Sequence, residues 1–176
     1  DSGYYIEPEE MGTHMVFESV LAKVKQAVSA GDSEVSLTDE DYVNPEYTSE
    51  SDLVTETMDR INRYENAEIT YDIKDYEEKL TKEQIRGFIQ LGDNYSVSLK
   101  TDEIEKYVQN LASTYNTYAD VRSFKTSSGD TVEIGGGDYG WILNKPGEAE
   151  QIIADLEAGE PVSREPVYSQ RPFVEG

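Results

Sequence analysis

Val-Arg-Ser-Phe-Lys-Thr-Ser-Ser-Gly-Asp-Thr-Val-Glu-Ile-Gly-Gly-Gly-Asp-Tyr-Gly-Trp-Ile-Leu, residues 121–143, is the stretch on which the fold turns. Its two flanks, Val121 to Lys125 and Thr131 to Ile134, are rich in residues that suit a pleated strand. Ser127-Ser128-Gly129-Asp130 between them is a cluster of turn formers, so the spacing predicts a β-hairpin in the C-terminal half. Gly135 to Gly140 then loosens the backbone, and Trp141-Ile142-Leu143 resumes an extended path.

Helical periodicity lies on both sides of this hairpin. Upstream, Thr13 reads as a cap for a helix that buries Val16, Val20, Leu21, Val24, Ala27 and Val28 on one face and stops at Gly31. A short strand is expected over 34–38, and Asp39 to Ser51 reads as an acidic surface loop broken by Asn44-Pro45. Ser49 or Ser51 caps a second helix through Leu53, Met58, Ile61 and Tyr64, after which Ile69, Tyr71 and Ile73 alternate as a half-buried strand. Thr81 and Gln84 form a capping box for a short helix stopped near Gly92, followed by a strand through Tyr95, Val97 and Leu99. Thr101 or Asp102 caps a helix on which Ile104, Tyr107, Val108, Leu111 and Tyr115 share a face. A last helix begins near Pro146, buries Ala149, Ile152, Ile153 and Leu156, and ends at Gly159.

Interleaved helices and strands with a hairpin make the chain α+β, with mixed helices and an antiparallel-containing sheet. Residues 1–12 read as a tail or a leading strand and residues 13–170 as a single unit, with an alternative subdomain boundary near Tyr76. Residues 171–176 read as an exit. With Asp1 rather than Met in first place, the chain is expected to be processed or cut from something longer.

Composition narrows the chemistry. Fifteen Lys plus Arg against 37 Asp plus Glu give a net charge of −22, which argues against nucleic acid and anionic membrane surfaces as partners. The chain has no Cys, which removes disulfides, thiolate metal sites and thiol nucleophiles. No run approaches the roughly 18 apolar residues that cross a bilayer, so direct membrane insertion is not expected.

Each local motif has a plain reading that competes with the chemical one. Gly135, Gly137 and Gly140 fit GxGxxG, but Trp141-Ile142-Leu143 after them is strand-like, and a dinucleotide site needs a helix there. We read these glycines as a turn or bulge. Asp39, Glu40, Asp41, Glu46, Glu50 and Asp52 offer oxygen ligands, yet Val43 and Asn44 break the calcium-loop pattern, so the segment reads as a solvated acidic face. With 37 acidic residues, no pair stands out as the two carboxylates of a glycoside hydrolase. His14, the lone His, has no nucleophile elbow to accompany it and reads as an N-terminal helix residue. No cofactor, metal ligand or catalytic residue is therefore assigned. Among the 13 Tyr and the single Trp, Tyr139 and Trp141 stand out beside three consecutive glycines, where rings could stack on sugars.

A family resemblance rests on the same stretch. Arg122-Ser123-Phe124-Lys125-Thr126-Ser127-Ser128-Gly129, then Val132-Glu133-Ile134, then Gly136-Gly137-Asp138-Tyr139-Gly140-Trp141 is similar to the signature of the peptidoglycan-binding domain that accompanies L,D-transpeptidase catalytic domains and occurs in VanW-like proteins. Tyr42, Pro45, Asp52, Leu53 and Ile69-Thr70-Tyr71-Asp72 resemble its first half. Tyr107-Val108, Leu111-Ala112 and Pro166-Val167-Tyr168 resemble its second, so the likeness covers about residues 14 to 168.

The resemblance implies a non-catalytic accessory domain, extracytoplasmic and cell-wall associated, anchored to the membrane through an N-terminal segment missing here. Its implied partners are peptidoglycan and an attached transpeptidase or VanW-like domain, toward which residues 171–176 would lead. The full-length parent is expected to be an L,D-transpeptidase, whose catalytic Cys this chain lacks. Gly136, Gly137, Asp138, Tyr139 and Trp141 are the candidate ligand contacts. The alternative is a spacer or docking domain that touches no glycan.

Overall fold

The structure is a computed structural model that describes residues 3–10, 12–73, 76–135 and 140–172. It is α+β, and the chain divides into two compact units, Asp1–Met58 and Asp59–Gly176, with the division inside a helix.

The first unit holds helix α1 (Phe17–Ala30), a 3₁₀ turn (Asp39–Asp41) and the start of α2 (Asp52–Asn66). Helix α1 begins later than the Thr13 cap suggests, because the preceding residues are drawn into extended pairing. Met15 bridges Tyr42, Val16 N–H donates to the Asp41 carbonyl at 2.7 Å, and Val43 N–H donates to the His14 carbonyl at 2.8 Å. Gly31 closes α1 in the left-handed conformation, as its position suggests. The continuous buried face expected of α1 is not found: Ala27 is its one fully buried residue, while Phe17, Val24 and Val28 are exposed. The strand expected over 34–38 is also absent, since Thr38 turns instead and its N–H donates to Asp41 Oδ2 at 2.7 Å.

Asp41 itself corrects the reading of a wholly solvated acidic loop. It is fully buried, accepts a hydrogen bond from the Ser19 hydroxyl at 2.6 Å and is ion-paired with Lys23. These bonds, Lys23 first, hold its carboxyl well below the usual carboxylate range. One acidic side chain thereby ties the loop to α1.

In the second unit, β1 (Ile69–Ile73) is the centre of a three-stranded sheet. It pairs antiparallel with β2 (Tyr76–Leu80), Ile73 opposite Tyr76 and Tyr71 opposite Glu78. Its other neighbour is β8 (Val162–Arg164), which runs parallel to it with Tyr71 opposite Arg164. The period of two places Ile69, Tyr71 and Ile73 on one face, all buried as the alternation predicts.

The helices follow the sequence closely. The Thr81–Gln84 capping box forms on α3 (Lys82–Phe88), with Thr81 N–H donating to Gln84 Oε1 at 2.8 Å. The helix ends before Gly92 because Ile89–Leu91 leaves it as β3 and pairs with β4 (Val97–Leu99). On α4 (Thr101–Tyr115), Ile104, Val108 and Leu111 are buried, and on α5 (Lys145–Ala158), Ala149, Ile152 and Leu156 are. Asn144 caps α5 by accepting from Gly147 N–H at 3.2 Å. The two helices pack on one another over the core, where each fully buried Ile or Leu contributes about 1.5–3 kcal/mol.

Strands β5 (Arg122–Lys125) and β6 (Thr131–Ile134) form the expected hairpin, with Phe124 opposite Val132 and Arg122 opposite Ile134. Strand β7 (Ile142–Leu143) continues from Trp141 and pairs antiparallel with β9 (Tyr168–Gln170). Strands β2, β3, β8 and β9 have no counterpart in the sequence reading. They are short, and YEEKL and VSR carry no apolar alternation strong enough to mark them.

Candidate functional site

Several element ends converge in the second unit on an open groove of about 460 Å³. Ile73 closes β1, Tyr76 opens β2, Thr114 and Tyr115 end α4, Thr117 follows it, and Trp141 and Tyr168 come from the β7–β9 side. The register that sets Ile73 against Tyr76 brings both to the same end of the sheet. Helix α4 is held to that end by the Tyr115 hydroxyl, which donates to Glu78 Oε2 at 2.7 Å.

Trp141 is held in place through its backbone. Its N–H donates to Thr117 Oγ1 and its carbonyl accepts from Thr117 N–H, both at 3.1 Å. Two residues on, Leu143 N–H donates to Asn116 Oδ1 at 2.9 Å. This clamp needs Gly140. Its φ is +141°, and a Cβ there would strike the Thr117 carbonyl oxygen and lie 2.7 Å from Tyr118 N.

The rings lie in two tilted pairs. Trp141 and Tyr168 have centroids 4.7 Å apart at 52°, and Tyr76 and Tyr115 have centroids 6.2 Å apart at 49°. The Arg171 guanidinium sits 5.8 Å from the Trp141 centroid and 5.1 Å from that of Tyr168, and it is paired to Glu165 at 2.5 Å. Burial, with Glu165 nearby, pushes the Tyr168 hydroxyl up to about 12. The hydrogen bond to Glu78 raises that of Tyr115. Both stay neutral at physiological pH, and the described lining includes no carboxylate, amine, guanidinium or imidazole.

Beneath this surface lies a buried polar frame. Glu148 of α5 is fully buried and accepts four hydrogen bonds. Oε1 takes them from the Tyr71 hydroxyl and Arg164 Nη2, both at 2.8 Å, and Oε2 from Val167 N–H at 2.6 Å and Arg164 Nη1 at 3.2 Å. Arg164 Nε also donates to Asp155 Oδ2 at 2.8 Å. Burial and then Glu148 raise the Tyr71 hydroxyl far above its ordinary value, so Tyr71 acts as a donor and not as an acid. The frame joins α5 to β1 and β8 and leads through Val167 to Tyr168.

Of the residues singled out in sequence, Trp141 lines the groove, half-buried. Gly136, Gly137, Asp138 and Tyr139 lie outside the described residues. His14 is exposed in the first unit and takes part through its backbone carbonyl. No group of three or more His, Cys, Asp or Glu capable of holding a metal occurs among the described residues.

The sequence reading did not single out Tyr76, Tyr115 or Tyr168 as partners of Trp141, because 13 tyrosines give no contrast. Glu148 was missed too. Its signal was positional: it stands four residues before Ile152 and eight before Leu156, on the apolar face of α5.

Comparison with known proteins places this geometry in a family context. Residues 47–163 match the family described as "Putative peptidoglycan binding domain". Among solved structures, the chain is similar to a cysteine-to-serine mutant of Enterococcus faecium L,D-transpeptidase, at 25% identity and a TM-score of 0.56 over 68% of this chain and 50% of that one. It is also similar to the Ldtfm–avibactam carbamoyl enzyme, at 24% identity and a TM-score of 0.57 over 69% of this chain and 50% of that one. The chain thus spans about half the length of each of these structures. No curated protein sequence matches it significantly.

Proposed function

The chain belongs to the peptidoglycan-binding domain family, and from that premise we propose that it is a non-catalytic accessory domain that positions an attached catalytic module at peptidoglycan. The observation that carries the reading is the aromatic groove built around Trp141, a surface suited to a neutral, partly apolar ligand. The attached module in this reading is an L,D-transpeptidase or a VanW-like domain. The setting is extracytoplasmic and cell-wall associated, with membrane attachment through a segment N-terminal to this chain. Among the described residues no helix is long and apolar enough to cross a membrane. Without cysteine the chain supplies no thiol for transpeptidation.

A second reading, a docking domain that touches no glycan, draws on the β5–β6 hairpin. Phe124, Val132 and Ile134 share one face there by register and are all exposed, a surface on which an attached module could rest.

The deciding experiment is retention on purified insoluble peptidoglycan, with cellulose as the control polymer. Wild type should pellet with peptidoglycan and not with cellulose, and Trp141→Ala, once shown folded by circular dichroism, should be retained less. Equal retention of both proteins, or of neither, favours docking over binding.

A further inference from the structure

We propose that the groove takes the glycan strand of peptidoglycan, stacking the apolar faces of its uncharged N-acetylated sugars on Tyr76, Trp141 and Tyr168, and leaves the peptide stems outside. This rests on the peptidoglycan reading above and specifies which part of the polymer is recognised.

Charge is the first argument. The chain carries a net −22, yet the described lining of the groove holds no ionised side chain. A site for the carboxylates of a stem peptide needs an uncommitted cationic donor; Arg171, against the Trp141 and Tyr168 rings, is already paired to Glu165 at 2.5 Å, and the field of so acidic a chain opposes that ligand. A site for a stem amine needs a free carboxylate or an open ring face for the cation. Glu78, bonded to the lining residue Tyr115, already accepts from its hydroxyl at 2.7 Å. Trp141 and Tyr168 already carry Arg171, at 5.8 and 5.1 Å from their centroids, which repels a second cation.

Shape and chemistry supply the second. Amphipathic rings offer apolar faces to the C–H surface of a sugar and hydroxyls to its polar rim. The two pairs, tilted at 52° and 49°, line an open groove whose volume of about 460 Å³ falls in the range of ligand clefts. The ligand is therefore a neutral sugar chain held by stacking and by hydrogen bonds to uncharged hydroxyls.

Trp141 is the only tryptophan, so its emission reports the occupancy of this groove. The test titrates the chain with uncharged oligomers of N-acetylglucosamine and, separately, with free stem tetrapeptide, while pelleting on insoluble peptidoglycan runs in parallel. A saturable change of emission with the sugar oligomers, and none with the tetrapeptide, is the expected result. Tyr76→Ala should weaken the oligomer response roughly 2- to 12-fold, the value of one aromatic contact. Its denaturation midpoint should hold, because Tyr76 is 65% exposed. A response to the tetrapeptide, alone or alongside the sugar, overturns the glycan assignment and leaves the peptidoglycan reading standing. Pelleting without a response to either soluble ligand overturns the groove as the site. Failure to pellet at all overturns the peptidoglycan reading itself.

Discussion

Replacing Glu148 by Gln tests whether the buried frame under the groove is what keeps α5 on the sheet. Both carboxylate oxygens accept only from donors: Tyr71 and Arg164 on Oε1, Val167 N–H and Arg164 on Oε2. A glutamine puts an amide NH₂ where one of those oxygens stood, donor against donor, and leaves the Arg164 charge half answered. Breaking a buried ion pair at one partner costs about 3–5 kcal/mol. Asp155 still holds Arg164 Nε at 2.8 Å, so the lower end, about 3 kcal/mol, is the figure to expect. That is a large share of the roughly 5–15 kcal/mol that stabilises a domain. Urea unfolding followed by Trp141 emission should show the loss as a lower midpoint with an unchanged slope. Arg164→Met should cost a similar amount, and combining it with Glu148→Gln should cost less than the sum of the two single changes, because each removes a partner the other needs. A loss below about 1 kcal/mol for Glu148→Gln, or additivity within about 0.5 kcal/mol, refutes the reasoning.

Gly140→Ala should destabilise the second unit by about 1–3 kcal/mol and blunt sugar binding, since its Cβ meets the Thr117 backbone at φ +141°. An unchanged urea midpoint sinks that account. Asp41 is held well below its ordinary range in the folded chain, so its stabilising contribution is complete above about pH 4 and is lost as pH falls toward the folded value. Circular dichroism against pH should therefore show wild type approaching Asp41→Asn at acid pH, with the variant already weaker at neutrality, and parallel curves for the two proteins contradict this. Intact-mass spectrometry after incubation with a carbapenem should show no adduct, because the chain contains no cysteine to be acylated.

Much of the fold is local and was readable residue by residue. The stripes Ile104, Val108, Leu111 and Ala149, Ile152, Leu156 announce α4 and α5 because a helix repeats every 3.6 residues whatever it packs against. The Thr81–Gln84 box and the turn at Ser127 to Asp130 depend on neighbours three or four positions away, so they also appear in the sequence as they do in space. The start of α1 failed for the opposite reason. Thr13 is a good local cap, but Met15 and Val16 are taken by Tyr42 and Asp41, more than twenty residues on.

The candidate site follows the same division. Trp141 could be marked from its glycine-rich approach, whereas the rings it works with come from β2, α4 and β9, brought together only by strand register and by contacts across much of the chain. Strand β8 is the clearest case. Val162-Ser163-Arg164 has no pattern of its own and becomes a strand because β1, some ninety residues earlier, offers an unpaired edge, while Glu148 offers Arg164 a buried carboxylate. Sequence by itself determined the helices, the hairpin, the anionic surface and the absence of thiol chemistry, since each is a property of composition or of near neighbours. Only the tertiary structure decided where the sheet closes, which acid is buried and which aromatics share a groove, because those depend on pairings whose partners are far apart along the chain.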